Sequence, residues 1–162
     1  MKRFNLLFLL LVFCQDAQPP CERYIIFLHN RFIEDHGPLE QHPSYGRAEY
    51  DQILQRFRKD GFIVISERRP VNTDQHKYAI HVISQIDSLQ NRGVPSAIIT
   101  IVGTSKGGNI AQDASCLSRN PGLNFVFIGS SFKILLHTNL HHGFLFKALD
   151  AWILPTERWA YR

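Results

Sequence analysis

Apolar positions along this chain follow two periods in turn. Residues 24–28 form an unbroken apolar run, as a strand buried on both faces requires. Residues 48–59 then carry Tyr50, Ile53, Leu54 and Phe57 at helical spacing, and Asp60-Gly61 stops them. A second strand run covers 62–66. A second helix covers 74–91, with Tyr78, Val82, Ile86 and Leu89 on one face and Gly93 closing it. A third strand is predicted over 97–102, a third helix over 108–117, a turn at Asn120-Pro121-Gly122 and a fourth strand over 124–128. Residues 134–137 look like one more strand, and 144–154 like one more helix. The long segment 29–46, rich in His, Pro and Gly, reads as loop, as does 67–73.

Strands alternating with helices of this length predict βαβ units and an α/β fold. The sheet is expected to be mostly parallel, with four to five strands and flanking helices. The length of 162 residues fits one domain, and 44% apolar with 20% charged residues describes a globular chain.

The first residues stand apart. Lys2 and Arg3 precede an almost wholly apolar stretch, 4–13, which is too short for the roughly 20 residues of a membrane-spanning helix. The pattern predicts a signal peptide over residues 1–17, ending at the small residue Ala17, and a secreted or periplasmic domain over 22–162. Lipoprotein anchoring at Cys14 is the weaker alternative, because Phe13 stands where a small residue is expected; a buried first strand is the other. Removing 1–17 takes away two basic residues and one acidic residue, and the formal charge falls from +4 to +3. With no Lys/Arg run, this mild balance does not indicate nucleic-acid binding. Cys21 and Cys116 remain, as a disulfide or as two thiols. No CxxC or Cys/His zinc spacing is present.

The chemistry concentrates in Ile101 to Ile110, IVGTSKGGNI. A G-x-S-x-G sequence alone is a weak signal, and a plain tight turn or a phosphate cradle would use similar residues. Here it joins a buried strand directly to a helix, which is the context of a nucleophile elbow, with Ser105 lifted above the sheet edge. Neither GxGxxG nor GxxxxGK[ST] is matched, so those nucleotide motifs lose support. The backbone N–H of Lys106, at the helix start, would face developing negative charge.

With these residues in place, the chain resembles the α/β-hydrolase superfamily, in particular its small dienelactone-hydrolase-like serine esterases. The matching pieces are FLHNRFIEDHGP after the first strand, ISERRP after the second, IVGTSKGG, and HHGFLFKALDAWI near the end. The resemblance implies Ser105 as nucleophile, His142 as general base, and oxyanion donors at Lys106 and in the turn of Asn30 and Arg31. It implies a small-molecule ester as substrate, with no cofactor and no metal. Two departures stand out. The family often has His-Gly where this chain has His29-Asn30. Its acid follows a strand for which there is no room: 13 residues separate Ile128 from His142, and none is acidic. The expectation is therefore a truncated α/β-hydrolase fold lacking the penultimate strand and helix.

His137 and His141 compete with His142, and the three together could instead bind metal, although Asn139 and Gly143 argue against a helix that would align them. For the acid, Asp150 lies two turns into the last helix. Glu34 and Asp35 are expected to be solvated loop charges, Glu67 structural, and Asp74 a helix cap. Residues 134–137 follow the fourth strand too closely for a parallel crossover. The expected function is a serine esterase with an incomplete triad, and the alternative is a noncatalytic binding protein of the same fold. Lys106 either favours an anionic acyl group or points to solvent. Oligomeric state stays open, with dimerisation conceivable at an exposed sheet edge.

Overall fold

The computed structural model describes residues 22–44 and 46–130. Four strands, β1 (Arg23–Leu28), β4 (Phe62–Ile65), β5 (Ile99–Thr104) and β6 (Asn124–Ile128), form one parallel sheet in the order β4-β1-β5-β6. Helices α2 (Tyr50–Lys59), α3 (Gln75–Asn91) and α4 (Lys106–Ser118) connect them. The α/β class with a parallel sheet and flanking helices follows directly. The segment after β1 is more ordered than its loop-like composition suggests. It holds a short helix α1 (Arg31–Asp35) and a two-stranded antiparallel ribbon, β2 (Gln41–His42) with β3 (Gly46–Arg47).

The sheet is buried on both faces, which is why β1 reads as a continuous apolar run. Side chains alternate along a strand, so Ile26 and Leu28 face α3 and α4 while Ile25 and Phe27 face α2. The first core contains Val82, Ile86 and Leu89 of α3, Ile110, Ala111 and Ala114 of α4, and Ile99 and Ile101 of β5. The second contains Tyr50 and Leu54 of α2, with Ile33 and Val102. The helical faces predicted from spacing are those that pack, and Ala79 joins the α3 face.

The connection through α2 steps to one side of β1, whereas those through α3 and α4 step to the other. Crossovers share one hand, so reversing the step puts the helices on opposite faces. The chains leaving β1 and β5 therefore diverge, and a crevice opens at their carboxyl ends, the place where open α/β sheets bind ligands. β5 lies two residues further along than predicted. Residues Ser96–Ile98 form a 3-10 turn after Pro95, and the ladder continues through Gly103, paired with Leu28, to Thr104, paired with Ile128. Ser105 comes immediately after it.

Among the described residues, no helix is long and apolar enough to cross a membrane, and β6 has no partner strand on its outer side. The predicted leader 1–17, Cys21, the expected strand 134–137 and the expected helix 144–154 lie outside the described residues.

The packing gives a direct test. Ile101→Ala, at a fully buried position, should lower the unfolding free energy by about 2–5 kcal/mol. Ile80→Ala, on the solvent side of α3 and 51% exposed, should change it by no more than about 0.5 kcal/mol. Urea unfolding of both variants measures the contrast.

Candidate active site

Ser105 has φ 50° and ψ −118°. A non-glycine residue held there carries strain of about 1–3 kcal/mol and persists only where its surroundings over-determine it. Here they do. The β5 ladder fixes the residue before it. The Ser105 N–H donates to the Ile128 carbonyl at 2.8 Å, and the Ser105 carbonyl accepts from the Asn109 N–H at 3.1 Å in the first turn of α4. The Ser105 side chain is exposed.

The neighbouring glycines are required by close approach. A Cβ on Gly103 would stand 2.3 Å from the Gly107 carbonyl oxygen. One on Gly107 would stand 2.1 Å from the Leu28 carbonyl oxygen, and one on Gly108 2.6 Å from Ser130 Cβ. None of the three has a positive φ. Their role is to let the first turn of α4 lie directly on β1 and β5, which sets how sharply the chain bends at Ser105.

Beneath this bend lies a network of buried charge. Glu34, in α1, is fully buried at its side chain. Its Oε2 accepts from Arg69 Nε at 3.1 Å, and its Oε1 accepts from Lys106 Nζ at 2.5 Å and from the Thr73 backbone N–H at 3.1 Å. Arg69, equally buried, donates through Nη2 to the carbonyls of His29 and Asn30. Its Nη1 has no hydrogen-bond partner, but the guanidinium lies over the Tyr78 ring, 5.6 Å from the centroid, a cation–π contact that offsets the loss in part. The backbone N–H of Arg69 donates to His29 Nε2 at 3.0 Å. Nε2 is therefore an acceptor, so Nδ1 carries the proton and donates to the Asn30 carbonyl at 2.8 Å.

These contacts fix the charge states. Burial would raise the Glu34 carboxyl, but hydrogen bonds from Lys106 and Arg69 and their charges outweigh it and hold the group below its ordinary value. Burial, then the Arg69 charge, lowers the His29 pKa to about 4. His29 is neutral, with both ring nitrogens engaged, and cannot serve as a base for Ser105.

Ser105, Lys106 and Arg31 line one open cleft of about 750 Å³ together with the start of α3 and one side of α4. Asn30 is buried beside it. Its side chain caps α1 by accepting from the Ile33 N–H at 3.0 Å, and its φ of −70° is extended backbone. Glycine is thus not needed at this position, where the resemblance would put one. Arg31 opens α1 and pairs with Asp35 at 3.0 Å. The expectation that Glu34 is a solvated loop charge is overturned: two cations of distant sequence meet it in the interior. Lys106 does not point freely to solvent: Glu34 binds it, and its side chain is 15% exposed. Asp74 does cap α3, accepting from the Lys77 N–H at 2.8 Å. Glu67 is exposed and meets His81 at 3.1 Å.

His142, His137, His141 and Asp150 lie outside the described residues. Cys116 is a free, exposed thiol. No cluster of His, Cys, Asp and Glu among the described residues is arranged to hold a metal. Arg69, His76, Asn109 and Asp113 were not singled out by sequence. The last two share the four-residue spacing of one helix face with Ser105, a signal present in the sequence. Compared with known proteins, the chain matches no model of a protein family and no curated protein.

Two outcomes follow. Gly107→Ala should destabilise by about 3 kcal/mol or more, although alanine is the better helix former, because the new Cβ meets backbone that cannot swing aside. Thermal and urea unfolding measure it. His29 has a folded pKa near 4 against an ordinary 6.5, so its contribution is complete above pH 6.5 and lost as pH falls toward 4. The loss should be on the order of 3 kcal/mol. Glu34, being depressed, adds its own loss only below its ordinary value of 4.5. Denaturant unfolding from pH 7 to 4, with NMR titration of the His29 ring, separates the two; a His29 midpoint near 6.5 would contradict the assignment.

Proposed function

We propose that the protein is a serine hydrolase of carboxylic esters, built on a truncated α/β-hydrolase fold. The observation that carries this reading is Ser105: exposed, strained in backbone, and set between a parallel strand and a helix at the crevice of the sheet. A side chain in that position is a nucleophile presented at a nucleophile elbow. Residues 1–17 would export it.

In the proposed reaction Ser105 Oγ bonds to the ester carbonyl carbon while His142 takes its proton. The oxyanion is met by the N–H of Lys106, first in α4 and without an intrahelical acceptor, and by an N–H of the Asn30-Arg31 turn. The C–O bond to the alcohol then breaks and the alcohol leaves with the proton. Water divides the acyl-enzyme and restores Ser105. The buried carboxylate of Glu34, bonded to the residue after Ser105, is held by Lys106 and Arg69 rather than by a histidine. Loss of the orienting acid costs about 10⁴-fold in well-studied serine proteases, which sets the scale of slow turnover to expect.

A fluorophosphonate probe should label the folded wild-type protein, and Ser105→Ala should abolish labelling. His142→Ala should slow labelling at least about 100-fold. His76→Ala belongs in the same experiment, since His76 lines the same cleft; slowing there, with His142→Ala unaffected, would reassign the base. Folded protein that takes up no label would instead favour a noncatalytic binding protein of this fold.

A further inference from the structure

The cleft beside Ser105 has a definite chemical character. Every side chain that lines it among the described residues is polar or charged. An ester with a long apolar chain needs an apolar wall, and no apolar side chain among the described residues lines this cleft. An anionic acyl group would need a free cation. Lys106 is bound to Glu34 at 2.5 Å, while Arg31, paired with Asp35 at 3.0 Å, keeps an exposed guanidinium, and the Asp113 carboxylate opposes an anion in the same cleft.

What the cleft leaves unsatisfied lies along α4. Asn109 and Asp113 follow Ser105 at successive four-residue steps, so the three form one stripe. Asn109 Oδ1 is buried and has no hydrogen-bond partner. Asp113 has no hydrogen bond or ion pair among the described residues, while the other cleft carboxylate, Asp74, is engaged in capping α3. The Asn109 Oδ1 acceptor is itself shielded from the cleft, so the acceptor that a ligand there can meet is the Asp113 carboxylate. Opposite this stripe stand Asn72, Thr73, Gln75 and His76, which both donate and accept.

We propose that this cleft binds the alcohol part of an acylated polyhydroxy compound, such as a sugar ester, with hydroxyl groups donating to the Asp113 carboxylate. Hydroxyls fit because each both donates and accepts, matching the two sides of the cleft. The cleft, about 750 Å³ and open to solvent, has room for a small-molecule ligand. The inference rests on the esterase reading of Ser105. In the step it adds, the sugar hydroxyl is the leaving group: the bond from Ser105 Oγ to the acyl carbon forms, the bond from that carbon to the sugar oxygen breaks, and the sugar oxygen takes the proton.

The test compares monoacetylated methyl glucoside with phenyl acetate, using the full chain. The ratio of kcat/KM for the glucoside ester to that for phenyl acetate should fall about tenfold or more in Asp113→Ala, mainly through KM, and recover in part in Asp113→Asn, which keeps an acceptor. Binding is read separately by saturation-transfer NMR with methyl glucoside on Ser105→Ala, where Asp113→Ala should remove the signal. An unchanged ratio, or hydrolysis of hexyl acetate faster than of the glucoside ester, overturns the proposal while leaving the hydrolase reading in place. Methyl glucoside bound at Asp113 in a protein whose Ser105 takes no label keeps the polyol site and sinks the hydrolase.

Discussion

A buried carboxylate held between two cations fixes the geometry of this site. Glu34 comes from the segment after β1, Arg69 from the segment after β4, and Lys106 from the residue after Ser105. A lone carboxylate at that depth would not stay ionised. With a guanidinium, an ammonium and the Thr73 N–H around it, it does, and the three carboxyl-end segments are thereby tied to one point. Such a network adds little stability against an apolar replacement of the same shape, but removing one member leaves uncompensated charge in the interior. Its consequence is positional. Lys106 is the first residue of α4, so the network fixes where that helix begins relative to the turn of Asn30 and Arg31.

The strain at Ser105 depends on that arrangement. A φ of 50° relaxes if the flanking elements can move apart. β5 cannot shift, because it is paired with β1 through Gly103 and with β6 through Thr104. α4 is pinned from below by the contacts of Gly103 and Gly107 with backbone and from the side by the ion pair of Lys106. Packing and charge act on the same helical turn from different directions. The bend is therefore held by two kinds of interaction that salt and pH affect differently.

The layered architecture was legible because each buried face repeats a period: Val82, Ile86 and Leu89 on α3, and the unbroken run of β1. The bend was legible because Gly103 and Gly107 flank the serine, and their purpose proved to be the absence of a Cβ. What the sequence concealed is equally specific. α1 spans five residues, fewer than two turns, so no periodicity could disclose it; its signal was the cap at Asn30. β5 was placed early because Ala97 and Ile98 continue its apolar character while turning within the 3-10 segment Ser96–Ile98. Glu34 was misassigned because a carboxylate in a polar loop is ordinarily solvated, and its partners lie 35 and 72 residues away. Ion pairs at that separation leave no local pattern.

Charge accounting beneath the serine bears on what the site can favour. Glu34 carries −1, Arg69 and Lys106 carry +1 each, and His29 is neutral, so the network leaves a net +1 under the start of α4. That excess sits near the N–H groups proposed to receive the oxyanion, where it supports developing negative charge through a medium of low polarisability. Both cations of the network are already bonded to Glu34. In the proposed reaction that charge would support the oxyanion more than a ground-state anion, because both cations are engaged by Glu34 beforehand. Asp113, at the far end of the α4 stripe, reinforces this by disfavouring a second negative charge in the cleft. The proposed selection by hydroxyl groups agrees with that charge distribution.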